Sequence, residues 1–211
     1  MQQLIMQPRQ RGTTLIELMV GLVILAVLAA IGIPSMVNWI SGHKVTSAGE
    51  FYAEGFAMAR RQAVLHNAAS RIVLTPNVNN GQMDWQVDLC FPAPGVPCNA
   101  SSGTWSTTTD VAPLDPEGAN GYKSVLRPAD ALPQSDLLAP SLEPAGTSAV
   151  YFTSLGWVDT GYEDRLTRIR LDPAGQNAGE LQPVAVAVSL AGLAIKCNPL
   201  LAAPDSRACP P

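Results

Sequence analysis

The feature that most constrains this chain is an apolar run that begins close to its N-terminus. Across the 21 residues 13–33 only one side chain, that of Glu17, is ionisable. At 1.5 Å of rise per residue, a helix of this length is about 30 Å long, which matches the hydrocarbon core of a bilayer. A single carboxylate inside such a segment is costly, and by default it indicates a functional site. The sequence therefore predicts a membrane-spanning helix with one acidic group that has a specific role.

A short basic leader precedes the apolar run. Residues 1–12 carry Arg9 and Arg11 and no acidic side chain. The positive-inside rule then predicts a cytoplasmic N-terminus, with the rest of the chain on the other side of the membrane. A plain single-pass anchor is the alternative interpretation, but a simple anchor does not require a carboxylate such as Glu17 in its apolar segment.

The start of the run resembles the signature of type IV pilins and type II secretion pseudopilins, usually written Gly-Phe-Thr-Leu-Ile-Glu. Here it reads Gly12-Thr13-Thr14-Leu15-Ile16-Glu17, with Thr13 where phenylalanine is usual. The resemblance implies that a prepilin peptidase cuts between Gly12 and Thr13 and that the new amino group of Thr13 is methylated. An ordinary secretory signal is cut after its apolar core, whereas this site precedes the core, which is then retained. The resemblance also implies that Glu17 pairs with the N-terminal amine of a neighbouring subunit, which relieves a carboxylate in hydrocarbon.

The predicted fold class is α+β, with the pilin fold of a long N-terminal helix followed by an antiparallel β-sheet head. We expect a cleaved leader over 1–12, a helix over 13–66 that crosses the membrane at about 14–34, and a periplasmic or extracellular head over 67–211. Pro34 lies where pilins often bend this helix, and a proline removes one helical hydrogen bond. Apolar residues then recur at three- and four-residue steps, which predicts that one helix face packs on a sheet. From residue 67 the period changes to two, which predicts strands: 71–75, 84–91, 149–153, 167–171, 184–188 and 193–197, with two short ones near 104–108 and 122–126.

Two antiparallel β groups after a long helix resemble the heads of GspH/FimT-type minor pilins and pseudopilins. Members with Gly-Arg-x-Arg in the last hairpin are linked to DNA uptake, but here Gly192-Leu193-Ala194-Ile195-Lys196 offers one cation. Arg168 and Arg170 share one predicted strand face. A DNA contact at Arg168, Arg170 and Lys196 is therefore the alternative function, and a solvated strand edge is the simpler interpretation. The charge favours the latter, because 13 basic and 17 acidic residues give −4, and loss of the two leader arginines gives 11 minus 17, or −6.

The four cysteines form two local pairs. Because the predicted orientation places the head in an oxidising compartment, two disulfides are the natural interpretation. Loop length favours Cys90 with Cys98 and Cys197 with Cys209. A zinc site made of all four is the alternative, although Cys-x-x-Cys spacing is absent from the sequence.

The sequence contains no recognisable catalytic or cofactor motif, and we expect no enzyme, no cofactor and no metal site. Asp159, Glu163 and Asp164 lie in a glycine-containing loop and are a calcium alternative, but their spacing is not that of an EF-hand. Trp105, Trp157 and Tyr122 lie in predicted loops, where they mark either a contact surface or core.

The expected function is that of a minor pilin or pseudopilin, a structural subunit that helps a type IV pilus or type II secretion pseudopilus to assemble. The resemblance implies three kinds of partner: other pilins or pseudopilins, the prepilin peptidase and inner-membrane lipid. It also implies a single-pass location in the bacterial inner membrane before the subunit enters the filament.

Overall fold

The computed structural model describes residues 12–100, 104–175, 178–179 and 181–210, without the side chains of residues 34, 35, 37 and 38. The chain forms two compact units, Met1–Ile40 and Ser41–Pro211. Leader residues 1–11, including Arg9 and Arg11, lie outside the described residues.

Helix α1 spans Leu15–Leu65, close to the predicted limits. It is helical on both sides of Pro34, and the predicted kink there stays a prediction. In the second unit, one face of α1 is fully buried, as the three- and four-residue spacing of apolar positions requires. The buried helical side chains are those of Val45, Ala48, Tyr52, Phe56, Ala59 and Ala63.

The head contains two antiparallel four-stranded sheets. The first has the order β3-β2-β1-β5 and the second has the order β4-β6-β7-β8. The strands are β1 Ala69–Pro76, β2 Met83–Cys90, β3 Val125–Arg127, β4 Leu138–Glu143, β5 Ala149–Phe152, β6 Arg168–Pro173, β7 Val184–Val188 and β8 Ala194–Cys197.

The two sheets and α1 share one hydrophobic core. Trp85 of β2 and Phe152 of β5 bring the first sheet into it, while Ile169 of β6 and Val186 of β7 bring in the second. Period-two alternation puts these side chains on one face of each strand. The predicted α+β architecture, a long helix followed by antiparallel sheet, is therefore confirmed.

The predicted hairpin between the first two strands is confirmed, with Ile72 opposite Val87. Its turn is fixed by Asn77, whose side chain donates to Asp84 Oδ1 at 2.7 Å and to Asp130 Oδ1 at 3.0 Å. The last predicted hairpin is also present, as β7 paired with β8.

The segment 92–148 differs from the sequence-based expectation. The strand predicted near 104–108 is wrong, because described residues there form turns and bends. Ser106 instead donates its N–H to Leu89 O at 2.8 Å and bonds Ser124 through the two hydroxyl groups. The neighbouring Thr107 Oγ1 accepts from the Asp110 N–H at 2.9 Å, and local side-chain bonds of this kind compete with a strand ladder. The second short strand is shifted, since β3 begins at Val125, and β4 was not predicted.

The cysteines form the two disulfides that loop length favoured in the sequence analysis. Cys90 is bonded to Cys98 at 2.05 Å and Cys197 to Cys209 at 2.08 Å. All four thiols are used in these bonds, so the zinc alternative has no ligands.

Gly55 tests how tightly α1 packs on the first sheet. A Cβ at this position would lie 2.8 Å from Ile72 Cδ1 and 3.0 Å from Trp85 Cγ. We expect Gly55→Ala to lower the free energy of unfolding by about 1–3 kcal/mol, because overpacking outweighs the helix preference for alanine. Gly42→Ala is the matched control, because nothing lies within 4 Å of its Cβ, and it should stabilise by about 0.5–1 kcal/mol. Denaturant titration of the detergent-solubilised full chain measures both, and equal effects would contradict the packing.

Candidate functional site

The start of α1 is closed by a reciprocal pair of hydrogen bonds. Thr14 lies immediately before the helix, and its Oγ1 accepts from the Glu17 backbone N–H at 3.3 Å. Glu17 Oε2 accepts in return from the Thr14 backbone N–H at 3.4 Å. This is a capping box, which satisfies two backbone donors that have no partner inside the helix. The spacing Thr-x-x-Glu before an apolar run signals it in the sequence, and our sequence reasoning did not use that signal.

The cap places the predicted cleavage site outside the helix. The first intrahelical bond runs from Leu18 N–H to Thr14 O at 3.2 Å. Gly12 and Thr13 therefore precede the helix, and both are exposed. Cleavage between them and methylation of Thr13 stay predictions.

The residues after the cap form an exposed apolar surface. Among the described residues, the segment Leu15–Ile33 is long and apolar enough to cross a membrane. Leu15 is 79% and Ile31 is 71% exposed. Apart from Glu17 this helix surface is uncharged, and an apolar surface of this size needs lipid or other helices to cover it.

Comparison with known proteins decides the family. The family described as the prokaryotic N-terminal methylation motif matches residues 7–33. The chain is 30% identical over 183 residues to the type IV major pilin protein PilA of Myxococcus xanthus (strain DK1622), and the match covers 74% of this chain and 82% of that protein. The chain belongs to the type IV pilin family.

Among solved structures, this pilin is similar to two crystal forms of the type IV minor pilin FimU of Pseudomonas aeruginosa (strain PAO1). The TM-scores are 0.40 and 0.38, with 13% and 14% sequence identity. Each match covers 72% of the pilin, and they cover 87% and 90% of the FimU chains.

The three side chains predicted as DNA contacts are all in ion pairs. Arg168 Nε lies 2.6 Å from Glu143 Oε2, and Arg170 Nε lies 2.8 Å from Asp172 Oδ2. Lys196 pairs with Glu50 of α1. Each of these cations therefore has a carboxylate beside it, which weakens the attraction of the cation for a phosphate group.

The side chains of the acidic loop are described, and they do not converge as metal ligands would. Asp159 Oδ1 accepts from the Gly161 N–H at 2.9 Å. Within the part of the chain that the structure describes, no group of three or more His, Cys, Asp or Glu side chains is placed to hold a metal ion. The calcium alternative at Asp159, Glu163 and Asp164 therefore has no support from the geometry.

Two of the three loop aromatic residues are packing residues. Trp105 is buried, and its Nε1–H donates to Asn99 O at 2.8 Å. Tyr122 donates its hydroxyl hydrogen to Val87 O at 3.2 Å, and burial raises the pKa of Tyr122 to about 12. Trp157 differs, because it is 62% exposed.

The capping box makes a prediction about local helix stability. We expect Thr14→Ala to destabilise the first turn by about 1 kcal/mol, because the N-cap acceptor is lost. Amide hydrogen exchange of Glu17, whose N–H donates to Thr14 Oγ1 at 3.3 Å, should then accelerate about fivefold in lipid bicelles. Thr14→Ser is the matched control, because it keeps the hydroxyl group, and its exchange should stay close to that of the unmodified pilin. Equal exchange in the alanine and serine variants would contradict the cap.

Proposed function

We propose that this pilin is a structural subunit of a type IV pilus that assembles through Glu17 and the freed amino group of Thr13. The observation that carries this proposal is the position of Glu17, a lone carboxylate at the start of an exposed and otherwise uncharged helix segment. A prepilin peptidase would cut between Gly12 and Thr13 and leave the segment Leu15–Ile33 in the product.

The geometry of the cap explains how the Thr13 amine and the Glu17 carboxylate become available for a contact between subunits. Because α1 begins after Thr14, the amine created at Thr13 lies on non-helical backbone next to the first turn. Among the residues that the structure describes, the Glu17 carboxylate accepts one long bond, at 3.4 Å from the Thr14 N–H. The cap bond already has a charged acceptor, but its donor is a neutral amide, whereas an ammonium group adds a full opposite charge to the attraction. We therefore infer that the carboxylate exchanges its cap partner for the amine of a neighbouring subunit.

The apolar segment serves two environments in turn. Before assembly, lipid would cover the exposed side chains of Leu15–Ile33 in a single-pass arrangement, with the N-terminus cytoplasmic and the head periplasmic. In the filament, the same segments of neighbouring subunits would cover each other. The two disulfides support a head outside the cytoplasm, because such bonds persist in oxidising compartments.

The finer role that we propose is that of a minor pilin that helps the filament to start. The support is the head itself, since two separate four-stranded antiparallel sheets follow the helix, and this is the arrangement on which the resemblance to GspH/FimT-type heads rests. The same N-terminal segment would also serve a type II secretion pseudopilus.

We do not propose DNA uptake. The three cations that suggested it, Arg168, Arg170 and Lys196, are each paired with a carboxylate. Salt-sensitive binding to phosphates needs cations that are free to replace counterions.

The substitution Glu17→Gln removes the charge of this side chain but keeps its ability to cap the helix. Glutamine also serves at this position of a capping box, so we expect membrane insertion and processing to be unchanged. Processing is checked by intact mass, as loss of residues 1–12 and a gain of about 14 Da for one methyl group. Incorporation into sheared filaments should be lost, because the variant has no charge for the neighbour's amine. Glu17→Asp keeps the charge and should retain part of the incorporation, whereas full incorporation of the glutamine variant would refute the assembly role.

Copy number tests the finer role. We expect quantitative mass spectrometry of purified filaments to find this pilin as a small fraction of the subunits, and its deletion to lower the number of filaments more than their length. A filament composed mainly of this chain would contradict the minor-pilin proposal and leave the assembly role intact.

A further inference from the structure

Exposed apolar side chains gather where two loop tips of the second unit meet the end of α1. Arg60 Nε donates to Gly156 O at 3.2 Å, and the Val158 N–H donates to Leu190 O at 3.0 Å. These bonds bring the loops 153–158 and 189–193 together beside α1. We define the loop-tip patch as two helical arginines and four loop side chains that are 51–71% exposed: Arg60, Arg61, Leu155, Trp157, Leu190 and Leu193.

The loop-tip patch is held in a fixed shape. Gly156 and Gly192 both have φ of +76°, which strongly favours glycine. A Cβ at Gly192 would overlap the Gly156 carbonyl oxygen, so the two tips are in direct contact. A preorganised surface loses little entropy when a partner binds. Contiguous apolar surface of this kind marks an interaction site in most soluble domains.

The charges of the loop-tip patch have no carboxylate partner within the described residues. Arg61 is exposed, and neither arginine is in an ion pair there. Arg60 Nε donates to the carbonyl oxygen of Gly156, and Glu50 and Glu54 line the same groove without pairing with either arginine. The other arginines of the head discussed above are neutralised by nearby acids. The patch therefore favours a partner surface that is both apolar and acidic.

An acidic and aromatic surface lies next along the chain, beginning at Asp159, two residues after Trp157. Val150 and Phe152 point from β5 into the core with α1, whereas Tyr151 points to the opposite face. There Tyr162 stacks on Tyr151, with ring centroids 3.7 Å apart and an interplanar angle of 5°. They line a cleft of about 650 Å³, which we define as the acidic cleft by its residues Pro92, Pro97, Asp159, Tyr162, Glu163 and Asp164. None of its three carboxylates is in an ion pair within the described ranges.

We propose that the loop-tip patch of one subunit docks on the acidic cleft of a second copy of this chain. The two surfaces are complementary in charge and each presents apolar or aromatic side chains. Because they are different surfaces, the contact is heterologous, and it propagates along a filament unless the rotation closes a ring. The inference rests on the proposed role as a filament subunit and not on the finer minor-pilin role, because the contact needs two copies of this chain side by side.

Photo-crosslinking in assembled filaments tests the contact. The full chain carries p-benzoylphenylalanine in place of Trp157, and the crosslinked peptides are identified by mass spectrometry. We expect a covalent dimer whose second peptide contains residues 159–164 or the neighbouring cleft residues 92–100. The control places the same group at Val78, which is 97% exposed on the β1–β2 turn, and should give no such dimer.

Charge reversal then tests the complementarity. Arg61→Glu alone and Asp164→Lys alone should each lower the dimer yield about fivefold, and both changes in one chain should restore it, because opposite charges face each other again. Lys123→Glu, at an exposed loop position, should leave the yield unchanged.

The outcomes separate this inference from the proposed function. Crosslinks to lipid, to a different pilin or to another segment, an absent dimer, or a double variant no better than the single ones would each overturn the docking contact. If the pilin is processed and incorporated in those cells, the proposed function stands. If Glu17→Gln is incorporated normally, the proposed function fails whatever the crosslinks show.

Discussion

A lone carboxylate in an uncharged helix is the constraint on which the rest of this pilin depends. A charged group in hydrocarbon is stable only with a partner of opposite charge or with several hydrogen-bond donors. In the single subunit, Glu17 has the Thr14 backbone N–H, which is a cap and not a countercharge. Under the proposed function, filament assembly would supply that charge, and the single acid along Leu15–Ile33 would then set the axial position of each neighbouring subunit.

The second unit depends on a different constraint, the burial of α1 beneath two sheets. Polar groups inside this core are satisfied, since Ser70 Oγ donates to Ala59 O at 2.7 Å and Gln82 Nε2 donates to Leu138 O at 2.6 Å. The second bond links the β1–β2 hairpin to the start of β4 in the other sheet. A head fixed in this way can present its loop tips and its cleft at constant positions, which a repeating contact requires.

Local signals predicted most of the fold. The limits of α1, both hairpins and the two disulfides follow from spacing within about a dozen residues. The same kind of local signal singles out Gly12, Thr13 and Glu17, whose roles in processing and assembly stay predictions. Contacts between segments far apart in the sequence could not be predicted from these local patterns. Strand β4 contains Pro140 and lies at a sheet edge, where proline is tolerated but weakens a strand prediction. The pairing of Lys196 with Glu50 joins residues 146 positions apart, and the loop-tip patch exists only because two loops meet α1 after folding.

The central claim is a contact between the Thr13 amine of one subunit and the Glu17 carboxylate of the next. Solid-state NMR tests it most directly, on filaments assembled in vitro from processed copies of this pilin alone, so that every neighbour is another copy, with ¹⁵N at Thr13 in half of the subunits and ¹³C at the Glu17 carboxyl in the other half. The account predicts dipolar coupling at a distance of about 3–4 Å between these atoms in the mixed filaments. A mixed filament with no coupling, while subunits carrying both labels show it within one chain, would contradict the account.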